Sequence, residues 1–585
     1  MERSARAALV PILTFLLLSS VLAPPAGAAA SVSLDASTGV IVAGGAVRLS
    51  GALTDDAACL RGRDVTLSWH PAGDPTTTIV DTTTTASDGT FSFSDRPSST
   101  GRYSADVSAT GSCGSASSPD AAVRVRALVE LSLVRGALVA GSCAKVEASV
   151  TPAKPSQTVE LQRREGGAWT TIDTLMLDDA SQATARPCFN WSDIGVVRLR
   201  ARWPAQDALN ETNASPALEL PISEAPWMEQ IDDLVGGRAM SVSVGDRGAA
   251  MYEHAPRQPR TPASNEKLLL SMTLLDTFGT GHEIVTDAAA KRAPDHGVLR
   301  GDLWIRGRGD PELDRSTIAA LARRLHADGV QRIRGRVIGS TGYFRRDWSA
   351  PGWNHVARQY VNRPTALTFD RNDDPHPERE AARALTDRLE RLGVRVSGSP
   401  STGAAPGGLT RIGSVRSRPL HAILRSMLRP SNNFDAEVLG KGLGAKVSGP
   451  PGTIAKGAAA IARWVADQGA SSFRSYDSSG LSYRDRVTTA GIVHLLGVAE
   501  DEPWGSVLRS SLPTGGQGTL EHRLRGVPVR AKTGTLDRIS ALSGWVRARR
   551  LSAWIEFSIV SAHLSKSTAS SIEDHIVRIL HRSAH

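Results

Sequence analysis

Aromatic residues are few in this chain, 5% of 585, and no stretch interleaves basic side chains with Phe or Tyr. A stacking platform for single-stranded nucleic acid needs both features, so that reading of its positive charge is disfavoured. Cysteine is scarcer still: four residues are too few for a disulfide scaffold or a cysteine-rich zinc protein. Among 14 histidines the one His-x-x-x-His spacing is His581 with His585, and no Glu follows the first His. Neither a metal nor a cofactor is therefore expected. Beyond residue 30 no run approaches the ~20 apolar residues that a membrane-spanning helix requires. Lysine is rare too, supplying nine of the 68 basic residues.

What is present is globular. With 41% hydrophobic and 22% charged residues the chain is neither disordered, collagen-like nor a polytopic membrane protein. Its length suggests roughly four domains at about 150 residues each. The net charge of +9 is modest; a dispersed solvated surface accounts for it, and it also suits work among the anionic polymers of a bacterial wall.

Residues 1–28 read as a secretory signal: Arg3 and Arg6, an apolar run over 7–23, then Ala26-Gly27-Ala28 or Ala28-Ala29-Ala30 as small-residue cleavage sites. Pro24 and Pro25 end the run short of spanning length, so an exported protein, secreted or wall-associated and without an integral span after signal removal, is expected. Export permits disulfides. Cys59 and Cys113 share one β-patterned segment and Cys143 and Cys188 the next, and pairing within each segment is the natural one of three possible pairings. Metal ligation and free buried thiols are the competing readings.

Residues 31–126 are rich in Thr, Ser and Val, with alternating runs such as Val65-Thr66-Leu67-Ser68-Trp69 broken by turns such as Ser87-Asp88-Gly89. Residues 127–220 repeat the pattern with Thr158-Val159-Glu160-Leu161 and Val197-Arg198-Leu199-Arg200. Both read as all-β sandwiches and resemble bacterial immunoglobulin-like modules, either spacers or wall-binding units. From about residue 223 to 585 helical and strand patterns alternate, which predicts an α/β block. Helices are expected over 316–329 (apolar face Ile318, Leu321, Leu325), 378–393, 455–469 and 488–498. In the last, His494 lies in an apolar pattern and reads as a core histidine.

The run Thr261-Pro262-Ala263-Ser264-Asn265-Glu266-Lys267 precedes an apolar stretch, and the proline marks a helix start. Ser264 then lies on the first turn, with Lys267 one turn on and on the same face. A serine hydroxyl needs a base to become a nucleophile, and an amine serves only if burial or a second cation lowers its pKa. Spacing alone is weak evidence, since Ser142-Cys143-Ala144-Lys145 shares it inside a strand-patterned segment. Two further elements follow in order. Ser431-Asn432-Asn433 lies between helical stretches, and Lys532-Thr533-Gly534-Thr535 follows a strand-like run.

These are the Ser-x-x-Lys, Ser-x-Asn and Lys-Thr-Gly elements of penicillin-binding proteins and serine β-lactamases. Gly301-Asp302-Leu303-Trp304, Gly307-Arg308-Gly309-Asp310-Pro311, Phe434 with Ala436-Glu437, Asp477-Ser478-Ser479-Gly480-Leu481-Ser482, and Gly518-Thr519-Leu520 narrow the likeness. From about Trp227 onward the chain resembles the D-alanyl-D-alanine carboxypeptidase/endopeptidase family of low-molecular-mass class C penicillin-binding proteins. The resemblance implies a transpeptidase-type fold over 223–585 with an inserted domain at about 283–415. It makes Ser264 the acylated nucleophile, Lys267 its base and Ser431 a proton relay. It assigns Asn433 to the acyl-side amide, Lys532, Thr533, Gly534 and Thr535 to the terminal carboxylate, and the backbone N–H groups of Ser264 and Thr535 to the oxyanion hole. Peptidoglycan stem peptides would be substrates and β-lactams covalent inhibitors. A β-lactamase or esterase, and a penicillin-binding wall sensor without turnover, are the rivals. Trp353 and Tyr360 either line the subsite for the substrate side chain or pack in the core, and 351–363 offers no Asp or Glu to a substrate ammonium group.

Overall fold

The computed structural model describes residues 29–583; the signal segment expected over 1–28 lies outside them. By contacts the chain divides into two units. The first comprises the residues up to Gly136 together with Cys143–Pro187 and Val196–Leu220. The second holds Ala137–Ser142, Cys188–Gly195 and everything from Pro221 on.

The first unit is all β. A three-stranded sheet (Ser31–Ala36, Val47–Thr54, Thr90–Asp95) and a six-stranded sheet centred on Asp64–Pro71, Gly101–Val107 and Ala121–Arg126 bury one shared core. Alternation explains it: in Val47–Thr54 every second side chain from Val47 (Val47, Leu49) turns inward and Arg48 and Ser50 turn out. Farther along, Leu128–Gly136, Ala144–Thr151 and Gln182–Ala185 form another three-stranded sheet, and Thr158–Glu165 and Gly195–Trp203 anchor a five-stranded one. All four cysteines are oxidised, with Cys59 joined to Cys113.

The second unit is built on a five-stranded antiparallel sheet, ordered Ala249–His254, Met240–Asp246, Ala553–Ala562, Ile539–Ala548, Val529–Leu536. Its two faces differ because the strand sequences alternate. Val242, Val244, Leu542, Phe557 and Ile559 face one way, where they bury Trp227 and Ile231 of helix Pro226–Val235 and Ile576, Val577 and Leu580 of helix Lys566–Ser583. The opposite face carries the small polar Ser243, Ser543 and Ser558. Ser243 bonds Thr489 (2.9 Å), at the start of helix Thr489–Asp501, and Ser543 bonds Asn265 (2.7 Å). Small residues there allow close approach of a helical layer, Glu266–Phe278, Leu420–Leu428, Asn433–Ser448 and Ile454–Asp467, with its own apolar core.

Between the first and second of these helices the chain forms a separate mixed sheet, ordered Ser401–Ala404, Val337–Thr341, Leu303–Arg306, Val285–Ala290, Thr410–Arg416, with helices Arg315–Ala327 and Pro377–Arg391 packed on it. Ile318, Leu321 and Leu325 are fully buried, and Asp314 caps the helix by accepting from Thr317 N (2.8 Å). His494 requires a correction: it is exposed, with Nε2 bonded to the Gln468 carbonyl (2.8 Å). Ile492, Leu495, Leu496 and Ala499 form the buried stripe of that helix, whereas 490, 494, 498 and 501 recur at four- and three-residue steps on its opposite side. No helix among the described residues is long and apolar enough to cross a membrane.

Candidate active site

Pro262 leads into a 3-10 turn, Ala263–Asn265, that places Ser264 just ahead of helix Glu266–Phe278, and Lys267 is the second residue of that helix. Ala263 holds φ at 48° and Ser431 at 63°, left-handed conformations that ordinary side chains disfavour and that cluster at functional sites. Local chemistry explains the Ser-Asn-Asn element. Asn432 is the N-cap of helix Asn433–Ser448, its side chain accepting from Asp435 N (3.0 Å), so Ser431 and Asn433 on either side are left to serve the site.

Lys267 is the hub. Its Nζ lies 3.0 Å from Ser264 Oγ, 2.8 Å from Asn433 Oδ1 and 2.5 Å from the Ser479 carbonyl. Charged, the amine donates to all three. Neutral, it keeps two donors for Asn433 and Ser479 and turns its lone pair to the serine hydroxyl, so the same geometry suits a base. Burial pushes Lys267 down to about 8, against the attraction of Asp477, Glu437, Glu266 and Asp435.

Lys532, also fully buried, donates to Ser431 Oγ (2.8 Å) and to the Thr533 carbonyl (2.7 Å). Its ammonium is held well below the usual lysine range, by burial first and then by Lys267 and Lys566. Gly534 is needed where it stands: a Cβ there would come within 2.6 Å of the Pro262 carbonyl oxygen, so the strand could not lie against the turn that carries Ser264. Val529–Leu536 is the last strand of its sheet. Ala531 N turns away from the neighbouring strand to bond Pro513 O (3.1 Å), so by alternation the N–H groups of Thr533 and Thr535 point to that same open edge. Thr533 Oγ1 donates to Thr519 Oγ1 (2.7 Å), and Lys566 Nζ donates to Thr535 Oγ1.

Ser264, Lys267, Ser431, Asn433 and Lys532 are thus joined through two lysines, and Thr533, Gly534 and Thr535 continue the strand on which Lys532 stands. The second Ser-x-x-Lys spacing goes elsewhere. Ser142 Oγ donates to the carbonyls of Ala137 (2.5 Å) and Val139 (2.6 Å), and Lys145 sits on a strand, where a three-residue step reverses the face.

Several contributors carried no role in the sequence reading. Glu266, Glu437 and Asp477 are fully buried around Lys267, and Asp485 is fully buried beside Asp477. Burial raises all four, yet Asp477 is best provided with donors: Gly480 N (2.7 Å), Ser482 N (2.8 Å) and Trp353 Nε1 (2.6 Å). Asp485 is raised well above the usual range, by burial first and then by Asp477. Tyr360, weighed as a subsite-lining or a core aromatic, is 62% exposed, which rules out core packing, and its carbonyl accepts from Asn433 Nδ2 (3.1 Å). Lys566 had one signal, its rarity as a lysine in an arginine-dominated chain.

Residues 228–375 and 374–583 match the D-Ala-D-Ala carboxypeptidase 3 (S13) family. A D-alanyl-D-alanine carboxypeptidase of Actinomadura sp. (strain R39) is 27% identical, the match covering 60% of this chain and 83% of that protein. Carboxypeptidase DacB of Mycolicibacterium smegmatis is 27% identical, with 58% of this chain and 79% of that protein covered. Among solved structures, penicillin binding protein 4 of Haemophilus influenzae aligns with a TM-score of 0.53 at 17% identity over 60% of this chain and 99% of its own, a likeness of fold. With most of its length matched, and with the three motif elements linked through two buried lysines, this chain belongs to the D-Ala-D-Ala carboxypeptidase 3 (S13) family, among the low-molecular-mass class C penicillin-binding proteins.

Proposed function

We propose that the chain is an exported serine DD-peptidase that hydrolyses the D-Ala-D-Ala terminus of peptidoglycan stem peptides through an acyl-enzyme, and that cleaves cross-links when the leaving amine belongs to a second stem peptide. The observation that carries this reading is the bonding of Lys267 Nζ to both Ser264 Oγ and Asn433 Oδ1, beside a second buried lysine that bonds Ser431.

In this reading neutral Lys267 takes the Ser264 proton as Oγ attacks the scissile carbonyl. The oxyanion is held by the backbone N–H groups of Ser264 and Thr535, the latter turned to the open edge of its strand. The substrate carboxylate binds Lys532, Thr533 and Thr535; an anion arriving there restores the charged form of a lysine that burial otherwise disfavours. The C–N bond then breaks as the proton taken by Lys267 is relayed through Ser431 to the departing D-alanine amine, which leaves Lys267 neutral again. Asn433 holds the acyl-side amide throughout. Water, deprotonated by the same lysine, hydrolyses the ester and frees Ser264. A penicillin enters by the first step and leaves slowly. The β-rich modules at 31–126 and 127–220 are assigned as spacers, and extracytoplasmic action follows from the substrate class.

The test is to supply the purified protein with a D-Ala-D-Ala peptide and with a penicillin, and to locate the adduct by mass spectrometry. Release of D-alanine together with a penicilloyl adduct on Ser264 is the expected result. Rapid penicillin turnover without D-alanine release would favour a β-lactamase instead, and a stable adduct with no peptide hydrolysis a sensor.

A further inference from the structure

The segment 345–364 is a loop clamped at its neck by one cation. Lys441, fully buried on the helix that begins at Asn433, donates to the Arg345 carbonyl (2.7 Å) and Asp347 Oδ1 (2.7 Å) at one end of the segment and to the Pro364 carbonyl (3.1 Å) at the other. Between these anchors the loop touches the site twice. On one side Pro351 O accepts from Ser482 Oγ (2.8 Å), Gly352 O accepts from Tyr483 N (3.1 Å), and the Trp353 indole donates to Asp477 Oδ2 (2.6 Å). On the other, Tyr360 O accepts from Asn433.

Asp477 is the organiser of the turn that supplies the third partner of Lys267. Its two oxygens accept from Gly480 N and Ser482 N, while Glu437 Oε1 accepts from Ser478 N (3.0 Å) and Ser479 N (2.8 Å). Between them these two carboxylates aim the Ser479 carbonyl at Lys267 Nζ. Among the described residues Trp353 is the one side chain from outside the turn that bonds Asp477 with a neutral N–H.

We propose that Trp353 is a positioning residue for proton transfer at Ser264: by holding Asp477 it fixes the 477–482 turn whose Ser479 carbonyl orients the Lys267 amine, and so ties the 345–364 loop to the reaction. The inference rests on the DD-peptidase reading of the site and adds to it a residue that reaches the base only through Asp477.

The direction of the effect follows from the charges around the amine. Lys267 faces Glu266 from its own helix, Asp435 and Glu437 from helix Asn433–Ser448, Asp477 from the 474–487 segment, and Lys532 from the edge strand. Asp477 in turn faces Lys267, Glu266, Glu437 and Asp485. Removing the indole donor makes the Asp477 carboxylate easier to protonate, which withdraws negative charge from Lys267 and lowers the pH at which the amine becomes neutral.

The experiment measures the acylation rate of Ser264 by a fluorescent penicillin between pH 6 and 9 for wild type, Trp353→Phe, Asp477→Asn and the double variant. Trp353→Phe is expected to acylate about tenfold more slowly on the plateau, the weight of one hydrogen bond to a charged group. Its acidic limb should move about half a unit to lower pH. Asp477→Asn should move the limb the same way, and Trp353→Phe should add nothing in its presence. An unchanged rate and limb, or a loss confined to KM with the limb in place, overturns the proposal. If Asp477→Asn does not fold, the pH profile of Trp353→Phe decides alone. A wild type that penicillin does not label at Ser264 would overturn both this inference and the function it rests on, whereas a labelled wild type with an indifferent Trp353→Phe overturns this inference only.

Discussion

Gly480→Ala is the substitution by which the structure makes its sharpest quantitative demand. Gly480 holds φ at +81°, and a Cβ placed on it would overlap the carbonyl group of Ala263 and come within 3.0 Å of Ser264 N. Two effects add. A side chain at such a backbone conformation costs roughly 1–3 kcal/mol. The overlap is with main chain, so it is relieved only by moving the nucleophile turn or the 477–482 turn by about 1 Å, a displacement that costs on the order of 10²-fold in rate when it falls on reacting groups. Gly279 supplies the control. It ends the helix that carries Lys267 with φ at +80°, and nothing lies within 4 Å of its would-be Cβ. Gly279→Ala should therefore lose stability of the first kind alone. The assay is the rate of labelling by a fluorescent penicillin, with thermal unfolding run in parallel. We expect Gly480→Ala to label about 100-fold more slowly and Gly279→Ala within about twofold of wild type, both melting earlier. Gly480→Ala labelling at the wild-type rate, or Gly279→Ala falling equally far, would refute the account of how the two turns are packed.

Ser264→Ala should abolish penicillin labelling, and Ser142→Ala should leave it intact; a labelled Ser264→Ala protein, detected on a gel, removes Ser264 as nucleophile. On the proposed reading, in which the neutral amine is the base, and with Lys267 pushed down to about 8, acylation should fall about tenfold for each pH unit below that value and level off above it. A stopped-flow profile that is flat from pH 6 to 9 contradicts the assignment, as would a Lys267→Ala variant losing less than about 10²-fold. Replacing Cys59 and Cys113 together by serine opens a loop spanning 54 residues and should destabilise the first unit by about 4 kcal/mol, read by calorimetry, with D-alanine release unchanged. Arg523→Ala should cost about 3–5 kcal/mol, since it strands the fully buried Glu573, which now accepts from Arg523 at 2.8 Å and from Ser540 at 2.6 Å; a wild-type melting temperature would contradict this.

Local signals in the sequence carried far. The 316–329 pattern becomes Arg315–Ala327 with the same three apolar side chains buried, because Asp314 and the 3.6-residue spacing act within one turn. Ser264, Lys267, Ser431 and Lys532 were legible as residue types in order, since each belongs to a short motif. What the sequence concealed is long-range. Nothing near Glu266, Glu437 or Asp477 marks them as neighbours of one amine, since they come from three separate stretches of chain and meet only when the helical layer closes on the sheet. The 345–364 loop has no periodicity to read, and its anchor, Lys441, lies some 80 residues downstream of it. Trp353 presented two roles to the sequence, and its single hydrogen bond to Asp477 supplied a third. His494 failed for a simpler reason: apolar neighbours on a helix do not reveal which side a residue takes until the buried stripe is known.

The strand bearing Lys532 stands at the rim of its sheet, with the main-chain groups of Thr533 and Thr535 facing outward. Such a rim is a rail for any extended peptide, which can join the ladder by its backbone whatever side chains it carries. On the proposed reading, such a rail would grip the D-alanine end by its backbone, and discrimination among stem peptides would fall to segments away from the rail.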